Sequence, residues 1–205
     1  MGRSCIVSIA CVRLRLVLAL SLCTFACHRT DSNDLPRLGA VPTLNLIDHD
    51  GATVTSRLFS NKVSVVHFMF TSCPSVCPVL VQQVASVQQA LKLLHDKVQF
   101  ISISVDPDVD TPERLRAYAQ KRSLNLNNWR FLTGDSLEVR RVVVQGFKQA
   151  LGERRLIEDS GGAYDILHGT HLVLIDANGI IRGFYRTDQD GLESLKSHVR
   201  LLTGS

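Results

Sequence analysis

The hydrophobic and polar positions of the chain change period several times after residue 43, which predicts alternating strands and helices. A nearly unbroken apolar run at 63–70 has the composition of a strand buried on both faces of a sheet. Beyond residue 75 the apolar side chains recur at helical spacing, which predicts a helix to about residue 95. Turn residues and further apolar runs predict two hairpins (43–54 and 172–181), two strands (98–105 and 129–132) and three helices (from 111, from 135 or 136 to about 147, and 192–202).

This succession of elements is the order of a thioredoxin-like fold. We therefore predict an α/β domain over residues 43–205, with a central mixed sheet flanked by helices. Residues 28–42 are polar and unpatterned, which is typical of a tether. The glycine-rich and charged residues 152–163 predict a loop or an exposed hairpin.

Residues 1–27 have the composition of a targeting leader. Arginines precede an apolar run at 16–26 that is too short to span a bilayer and suits a signal segment. Ala26-Cys27 at its end resembles a lipoprotein cleavage site, so Cys27 is the predicted site of lipidation; ordinary cleavage and an uncleaved anchor are the alternatives. In each of these three cases we expect the protein to be exported. We expect it at the periplasmic face of the inner membrane or in the cell envelope, anchored to the membrane through its N-terminus.

The charge of the chain argues against a nucleic-acid partner. Three leader arginines account for most of the formal net charge of +4, and the leader has no acidic residue. The remaining domain is therefore nearly neutral, whereas a nucleic-acid surface needs a concentrated basic patch.

Cys73 and Cys77 carry the candidate chemistry of the domain. They follow the apolar strand across a short Thr-Ser turn and precede the predicted helix, so they lie at a strand-to-helix junction. Their spacing of four places both sulfurs on one helix face, and a helix N-terminus should lower the pKa of both thiols. Two such thiolates can hold a soft metal or cycle between dithiol and disulfide. A purely structural disulfide is the weaker reading, because so small a loop restricts the unfolded chain little.

Four stretches of the chain resemble the Sco/SenC family of copper-binding assembly proteins. They are Cys73-Pro74-Ser75-Val76-Cys77-Pro78, Ser104-Val105-Asp106-Pro107-Asp108-Val109-Asp110-Thr111-Pro112-Glu113, Trp129-Arg130-Phe131-Leu132-Thr133-Gly134, and Tyr164-Asp165-Ile166-Leu167-His168-Gly169 with the hairpin that follows it. The resemblance extends over about residues 43–202, and these stretches follow one another in the order and spacing of that family.

The resemblance implies a thioredoxin-like fold and a copper site, Cu(I) or Cu(II), made by Cys73, Cys77 and His168. It also implies a role in assembling the binuclear copper centre of cytochrome c oxidase. The expected partner is the copper-site subunit of that oxidase, with a periplasmic copper donor or a thiol reductase as a further partner. The chain departs from the family pattern at Ser75, Leu167 and Gly169, where acidic residues or serine are common. The missing carboxylate next to His168 removes a group that could orient its ring.

The residue types support a copper site even without the resemblance to the family. Thiolates suit Cu(I), imidazole also accepts Cu(II), and three ligands leave a position open for transfer. Among the histidines, His168 is the favoured ligand because it is predicted in a glycine-flanked loop, and His171 is its main rival. His67 lies in the central strand, where a core role is expected. The others (His28, His49, His95 and His198) are expected to be solvated.

The alternative function is an extracytoplasmic thiol–disulfide oxidoreductase that keeps partner cysteines reduced, with Cys73 and Cys77 as its redox disulfide. Three residues separate the two cysteines, where thioredoxin-type enzymes have two, and no proline follows Pro112 to take the place opposite the dithiol. A metallochaperone is therefore favoured over an enzyme. A peroxidase fits poorly, because it needs a lone reactive thiol. The run from Asp106 to Asp110 predicts a structural loop, from which Asp106 could face the metal site or a partner.

Overall fold

A computed structural model describes residues 35–74 and 76–204 of the chain. The predicted leader (1–27), its lipidation site Cys27 and most of the predicted tether lie outside the described residues. The helices are α1 to α4 in chain order: Val76–Ala90, Pro112–Lys121, Ser136–Arg140 (continued as a π-helix over Arg141–Gly146) and Gln189–Thr203.

Within the described residues, eight strands form one mixed sheet, and two more form a separate hairpin. In chain order, β1 to β10 are Gly39–Ala40, Asn45–Asp48, Thr53–Thr55, Val63–Met69, Val98–Ser104, Trp129–Thr133, Leu151–Leu156, Tyr164–His168, Leu172–Ile175 and Ile180–Tyr185. The sheet has the order β1-β10-β9-β4-β5-β6-β2-β3, and the hairpin pairs β7 with β8. The neighbours β4, β5 and β6 are parallel, whereas the pairings of β9 and β2 with this centre are antiparallel. The predicted mixed central sheet with flanking helices is confirmed.

The strands β4 and β5 form the centre of the core, and all seven residues of each are buried. The long apolar run of β4 therefore reflects burial on both faces, as the sequence predicts. Aromatic side chains fill the space around them, and Trp129 stacks on Phe131 with 5.5 Å between ring centroids. The indole Nε1–H of Trp129 donates to Ser102 Oγ at 2.8 Å, which satisfies its one polar group in the core.

Local capping signals fix the starts of two helices as predicted. The Thr111 side chain accepts a hydrogen bond from the Arg114 amide at the start of α2. Asp135 accepts from the amides of Leu137 and Glu138 at the start of α3. Such caps satisfy N–H groups that have no partner inside the helix.

The end of the predicted tether belongs to the domain instead. Gly39 and Ala40 pair with Ile181 and Ile180 at the edge of the sheet. Arg182 donates to the carbonyl oxygens of Leu35 and Pro36, which holds the chain onto the sheet before β1 begins. The assignment of residues 35–42 to a tether is therefore wrong. Backbone pairing at an edge strand needs no hydrophobic period in the added segment, so the sequence pattern does not reveal it.

Candidate metal centre

Cys73 and Cys77 lie at the junction between β4 and α1, as predicted. Both are buried, and both carry reduced thiols. Cys77 is the second residue of α1, whereas Cys73 lies in the turn before it, where its amide donates to the Phe70 carbonyl oxygen at 3.3 Å. The prediction that both sulfurs share a helix face is therefore wrong. The turn nevertheless brings them together, because the Cys77 amide donates to Cys73 Sγ at 3.4 Å.

The prediction that the helix N-terminus lowers the thiol pKa is wrong for Cys77. Its hydrogen bond with Cys73, followed by burial, raises the pKa of the Cys77 thiol well above its usual range. Burial penalises the thiolate, and a neighbouring sulfur that shares the proton favours the thiol. These effects outweigh the field of the helix N-terminus. Metal binding at Cys77 must therefore displace a firmly held proton.

A buried carboxylate, Asp110, holds the turn that precedes the cysteines. It accepts hydrogen bonds from the Thr71 amide at 3.0 Å, the Thr71 hydroxyl at 2.5 Å and the Ser104 hydroxyl at 2.6 Å. Arg114 lies 3.7 Å from the same carboxylate and donates to the Thr71 and Ser72 hydroxyls. Sequence reasoning assigned Asp110 only to the loop or a helix cap. The useful signal was its place after the strand next to β4.

His168 is the last residue of β8, so its predicted position in a loop is wrong. The hairpin nevertheless carries its ring to the thiols, with Nε2 at 3.5 Å from Cys77 Sγ. The other ring nitrogen, Nδ1, lies 3.0 Å from the Gly169 carbonyl oxygen. A carbonyl oxygen can only accept, so Nδ1 carries the proton of the neutral ring and the lone pair of Nε2 faces the sulfur.

The Gly169 carbonyl takes the orienting role that the missing carboxylate would have had. In β8, His168 and Tyr164 lie on the face that includes buried Ile166, whereas Leu167 is 70% exposed on the other face. A carboxylate at position 167 would therefore start from the face opposite to the ring. Gly169 itself packs closely, since an added Cβ would lie 2.0 Å from Gln149 Oε1.

A protein-family model supports the resemblance found in the sequence. The SCO1/SenC model matches residues 37–203. The chain belongs to the SCO1/SenC family. The matched range begins two residues before β1, in agreement with the domain boundary that the structure gives.

Three individual similarities support the same conclusion. A SCO1 protein homolog of Bacillus subtilis is 32% identical over 155 residues, which are 75% of this chain and 77% of that protein. The copper-bound structure of Bradyrhizobium japonicum ScoI superposes with a TM-score of 0.69 at 25% identity, covering 80% of this chain and 99% of that one. A SCO1/SenC family lipoprotein from Bacillus anthracis gives a TM-score of 0.69 at 31% identity, covering 80% and 95%. Sco proteins have a thioredoxin-like fold, so the fold prediction is confirmed.

The other histidines of this SCO1/SenC domain lie in three kinds of environment. His171, the rival ligand, is exposed just before β9, and His95 is exposed as predicted. His49 is buried and accepts from the Phe131 amide, and the half-buried His198 bonds the Tyr185 hydroxyl, so the expectation of solvated rings is wrong for these two. His67 is in the core, as expected, with Nε2 at 2.7 Å from Ser102 Oγ.

The burial of His67 makes a pH-dependent contribution to stability. Burial, with a smaller effect of the charge of His168, lowers the pKa of His67 from 6.5 to about 3. Between these values the unfolded chain binds a proton that the folded protein excludes, so folding stability falls as the pH falls from about 6.5 towards 3. We expect His67→Gln, which can keep the bond to Ser102, to lose less unfolding free energy on acidification. The difference should approach about 1.4 kcal/mol per pH unit in urea titrations at pH 6 and pH 4.

His95→Gln is the matched control for this prediction, because its ring is exposed. Its pH dependence should follow that of the unmodified protein. Identical pH slopes for His67→Gln and the unmodified protein would show that the folded protein does not exclude the proton.

The described site is only partly arranged to hold an ion. Among the residues that the structure describes, no group of three or more His, Cys, Asp and Glu side chains is arranged to hold a metal as it stands. The atoms Cys77 Sγ and His168 Nε2 are nevertheless 3.5 Å apart. With the bond lengths of about 2.3 Å to sulfur and 2.0 Å to nitrogen known for zinc, two ligands at a tetrahedral angle lie about 3.5 Å apart. This pair therefore has a suitable separation for one ion.

Within residues 35–74 and 76–204, none of the helices combines the length and the apolar character needed to cross a bilayer.

Proposed function

We propose that this protein binds one copper ion through Cys73, Cys77 and His168 and supports maturation of the binuclear copper centre of cytochrome c oxidase. The approach of His168 Nε2 to Cys77 Sγ carries the proposal. These two residues are 91 positions apart in the sequence, and a ring nitrogen with a bare lone pair faces a buried thiol. Proteins of this family bind copper and take part in the assembly of cytochrome c oxidase, and the Bradyrhizobium relative has copper bound.

The donor set suits a copper ion that has to be passed on. Two thiolates favour Cu(I), and the imidazole gives the same site affinity for Cu(II). Cys73 is the third donor, and its sulfur lies beside the pair formed by Cys77 and His168, since it accepts from the Cys77 amide at 3.4 Å. Three protein ligands leave a coordination position through which an acceptor protein can take the ion.

Anaerobic titration of the reduced protein with Cu(I), and separately with Cu(II), tests this proposal. We expect one copper per chain by metal analysis for each oxidation state. Binding of Cu(II) should also produce a sulfur-to-copper charge-transfer absorption, because the ligands are thiolates. A protein that retains no copper after desalting would contradict the proposal.

A second candidate function is thiol–disulfide exchange, which would keep the cysteines of a partner reduced. The adjacent, reduced thiols of Cys73 and Cys77 favour it, because a pair in contact can close a disulfide. The raised pKa of Cys77 opposes exchange and copper binding alike, because both require the thiolate. His168, however, has no required part in such exchange. Copper delivery therefore accounts for more of the site, and the expected partner is the copper-site subunit of the oxidase.

We also propose that the protein is exported and held at the periplasmic face of the membrane by lipidated Cys27. The Ala26-Cys27 pair after the apolar run and the lipoprotein relative of Bacillus anthracis support this proposal. Intact-mass analysis of the protein from membranes should show a diacylglyceryl group on an N-terminal Cys27. An unmodified N-terminus elsewhere would exclude the lipoprotein form.

A further inference from the structure

The strand that carries His168 lies outside the main sheet. Among the described strands, β7 and β8 pair only with each other, and their register sets Leu151 opposite His168 and Leu156 opposite Tyr164. A two-stranded hairpin in water is marginally stable by itself. The position of the His168 ring therefore depends on the contacts that hold this hairpin against the rest of the domain.

Asp106, in the loop after β5, makes a polar contact of this kind. Its side chain is only 4% exposed, and each of its carboxylate oxygens accepts from a different strand of the hairpin. Arg154 Nη2 of β7 donates to Oδ1 at 2.5 Å, and the Tyr164 hydroxyl of β8 donates to Oδ2 at 2.5 Å. The Arg154 guanidinium also lies 4.6 Å from the centroid of the Tyr164 ring. One carboxylate thus holds both strands of the hairpin, at Tyr164 next to its turn and at Arg154 opposite Ile166.

The ring of Phe70 connects Tyr164, which is bonded to Asp106, with the ring of His168. The Tyr164 ring stacks on Phe70 with 5.8 Å between centroids and 19° between planes. Phe70 in turn meets the His168 ring edge-on at 6.0 Å, and its carbonyl oxygen accepts from the Cys73 amide. Tyr164 and His168 lie on the same face of β8, at its two ends. A shift of Tyr164 therefore changes the packing surface against which the His168 ring rests.

We propose that Asp106 and Tyr164 are positioning residues for His168, which hold the imidazole at the distance from the thiols that Cu(II) binding needs. This inference rests on the proposed function, because it concerns the same site. Of the two partners of Asp106, Tyr164 contributes more to holding the hairpin than Arg154 does. Arg154 is 43% exposed, so water screens its ion pair with Asp106, whereas Tyr164 combines its hydrogen bond with stacking on a fully buried ring.

The two oxidation states of copper respond differently to this positioning. Two thiolates alone can hold Cu(I), so a displaced imidazole costs Cu(I) little. Cu(II) relies more on the nitrogen donor, so it loses affinity when the ring moves. The expected signature is therefore a fall in Cu(II) affinity at nearly constant Cu(I) affinity, which general destabilisation of the domain would not produce.

The test compares Asp106→Asn and Tyr164→Phe with the unmodified protein. An asparagine keeps one acceptor oxygen and presents an NH₂ group to the other donor, and a phenylalanine keeps the stacking ring without the hydroxyl. Glu153→Gln is the matched control, because it removes a carboxylate of the same hairpin that is 89% exposed. Two measurements are made: hydrogen exchange of residues 164–168 in the metal-free protein, and affinities for Cu(I) and Cu(II).

We expect faster exchange over residues 164–168 in both variants, with unchanged exchange in β4 and β5. Affinity for Cu(II) should fall about tenfold, with at most a small change for Cu(I), and the control should match the unmodified protein in both measurements. Unchanged exchange in both variants would overturn the positioning role, and so would equal losses for the two oxidation states. Failure of the unmodified protein to bind copper would overturn the proposed function instead, and the exchange data would still decide whether Asp106 and Tyr164 hold the hairpin.

Discussion

Replacing either cysteine by serine should abolish copper binding by the reduced protein. A serine hydroxyl is a hard donor that stays protonated at neutral pH, so Cys73→Ser or Cys77→Ser leaves one thiolate, which is insufficient to hold Cu(I) against competing thiols. We expect no copper to remain after desalting, measured by metal analysis and by the loss of the sulfur-to-copper absorption. Both positions are buried, and serine is close to cysteine in size, so the fold should persist.

Ser72→Ala provides the matched control for the cysteine variants. Ser72 is the residue before Cys73, and its hydroxyl accepts a hydrogen bond from Arg114 without any role as a metal donor. This variant should bind one copper per chain. Thermal unfolding of all three variants should show that each is folded. Full stoichiometry in both cysteine variants would remove the thiols from the proposed site.

Replacing His168 by alanine should have the second largest effect, and it separates the two oxidation states. The variant loses the imidazole nitrogen that lies 3.5 Å from Cys77 Sγ, so affinity for Cu(II) should fall by about ten- to a hundredfold. Affinity for Cu(I) should fall much less, because both thiolates remain. Competition titrations with a Cu(I) chelator and a Cu(II) chelator measure the two losses.

His171→Ala is the control for His168→Ala, since it removes an exposed imidazole three residues away. It should leave both affinities close to those of the unmodified protein. A larger loss of Cu(II) affinity in His171→Ala than in His168→Ala would move the ligand to the start of β9.

The same His168 variant discriminates copper delivery from thiol–disulfide exchange in cells. An exchange protein needs only Cys73 and Cys77, so His168→Ala should keep its ability to reduce a disulfide in a model peptide. A copper chaperone needs the imidazole, so cells that carry the variant should mature less cytochrome c oxidase at low copper, with partial rescue by added copper. Normal maturation under these conditions would favour the reductase.

Features that depend on neighbouring residues could be predicted from the sequence. The apolar run of β4, the turn with Cys73 and the caps at Thr111 and Asp135 all follow from residue types within a few positions of each other. Local propensity and periodicity decide such elements because their hydrogen bonds close over short stretches of chain. The order of the elements then restricts the topology to a small number of folds.

Contacts between distant parts of the chain could not be predicted in this way. The edge strand around Gly39, the burial of His49 and the hydrogen bonds of Asp106 with the β7–β8 hairpin each join segments far apart in sequence. The pKa of the Cys77 thiol is raised, whereas the sequence predicted a lowered value. The hydrogen bond with Cys73 and burial outweigh the effect of the helix N-terminus. A pKa depends on the surroundings in space, which no local pattern specifies.

By itself, therefore, the sequence determined the mixed α/β domain, the two thiols at a strand-to-helix junction and the candidate histidine. Only the tertiary structure decided how His168 reaches the thiols, which is from the end of a hairpin strand with its ring held by Gly169 and Phe70. The physical reason is that strand pairing and side-chain packing link segments whose sequences carry no mark of each other. Their free energy is gained only after these distant segments have come together, which first costs the entropy of closing the chain between them.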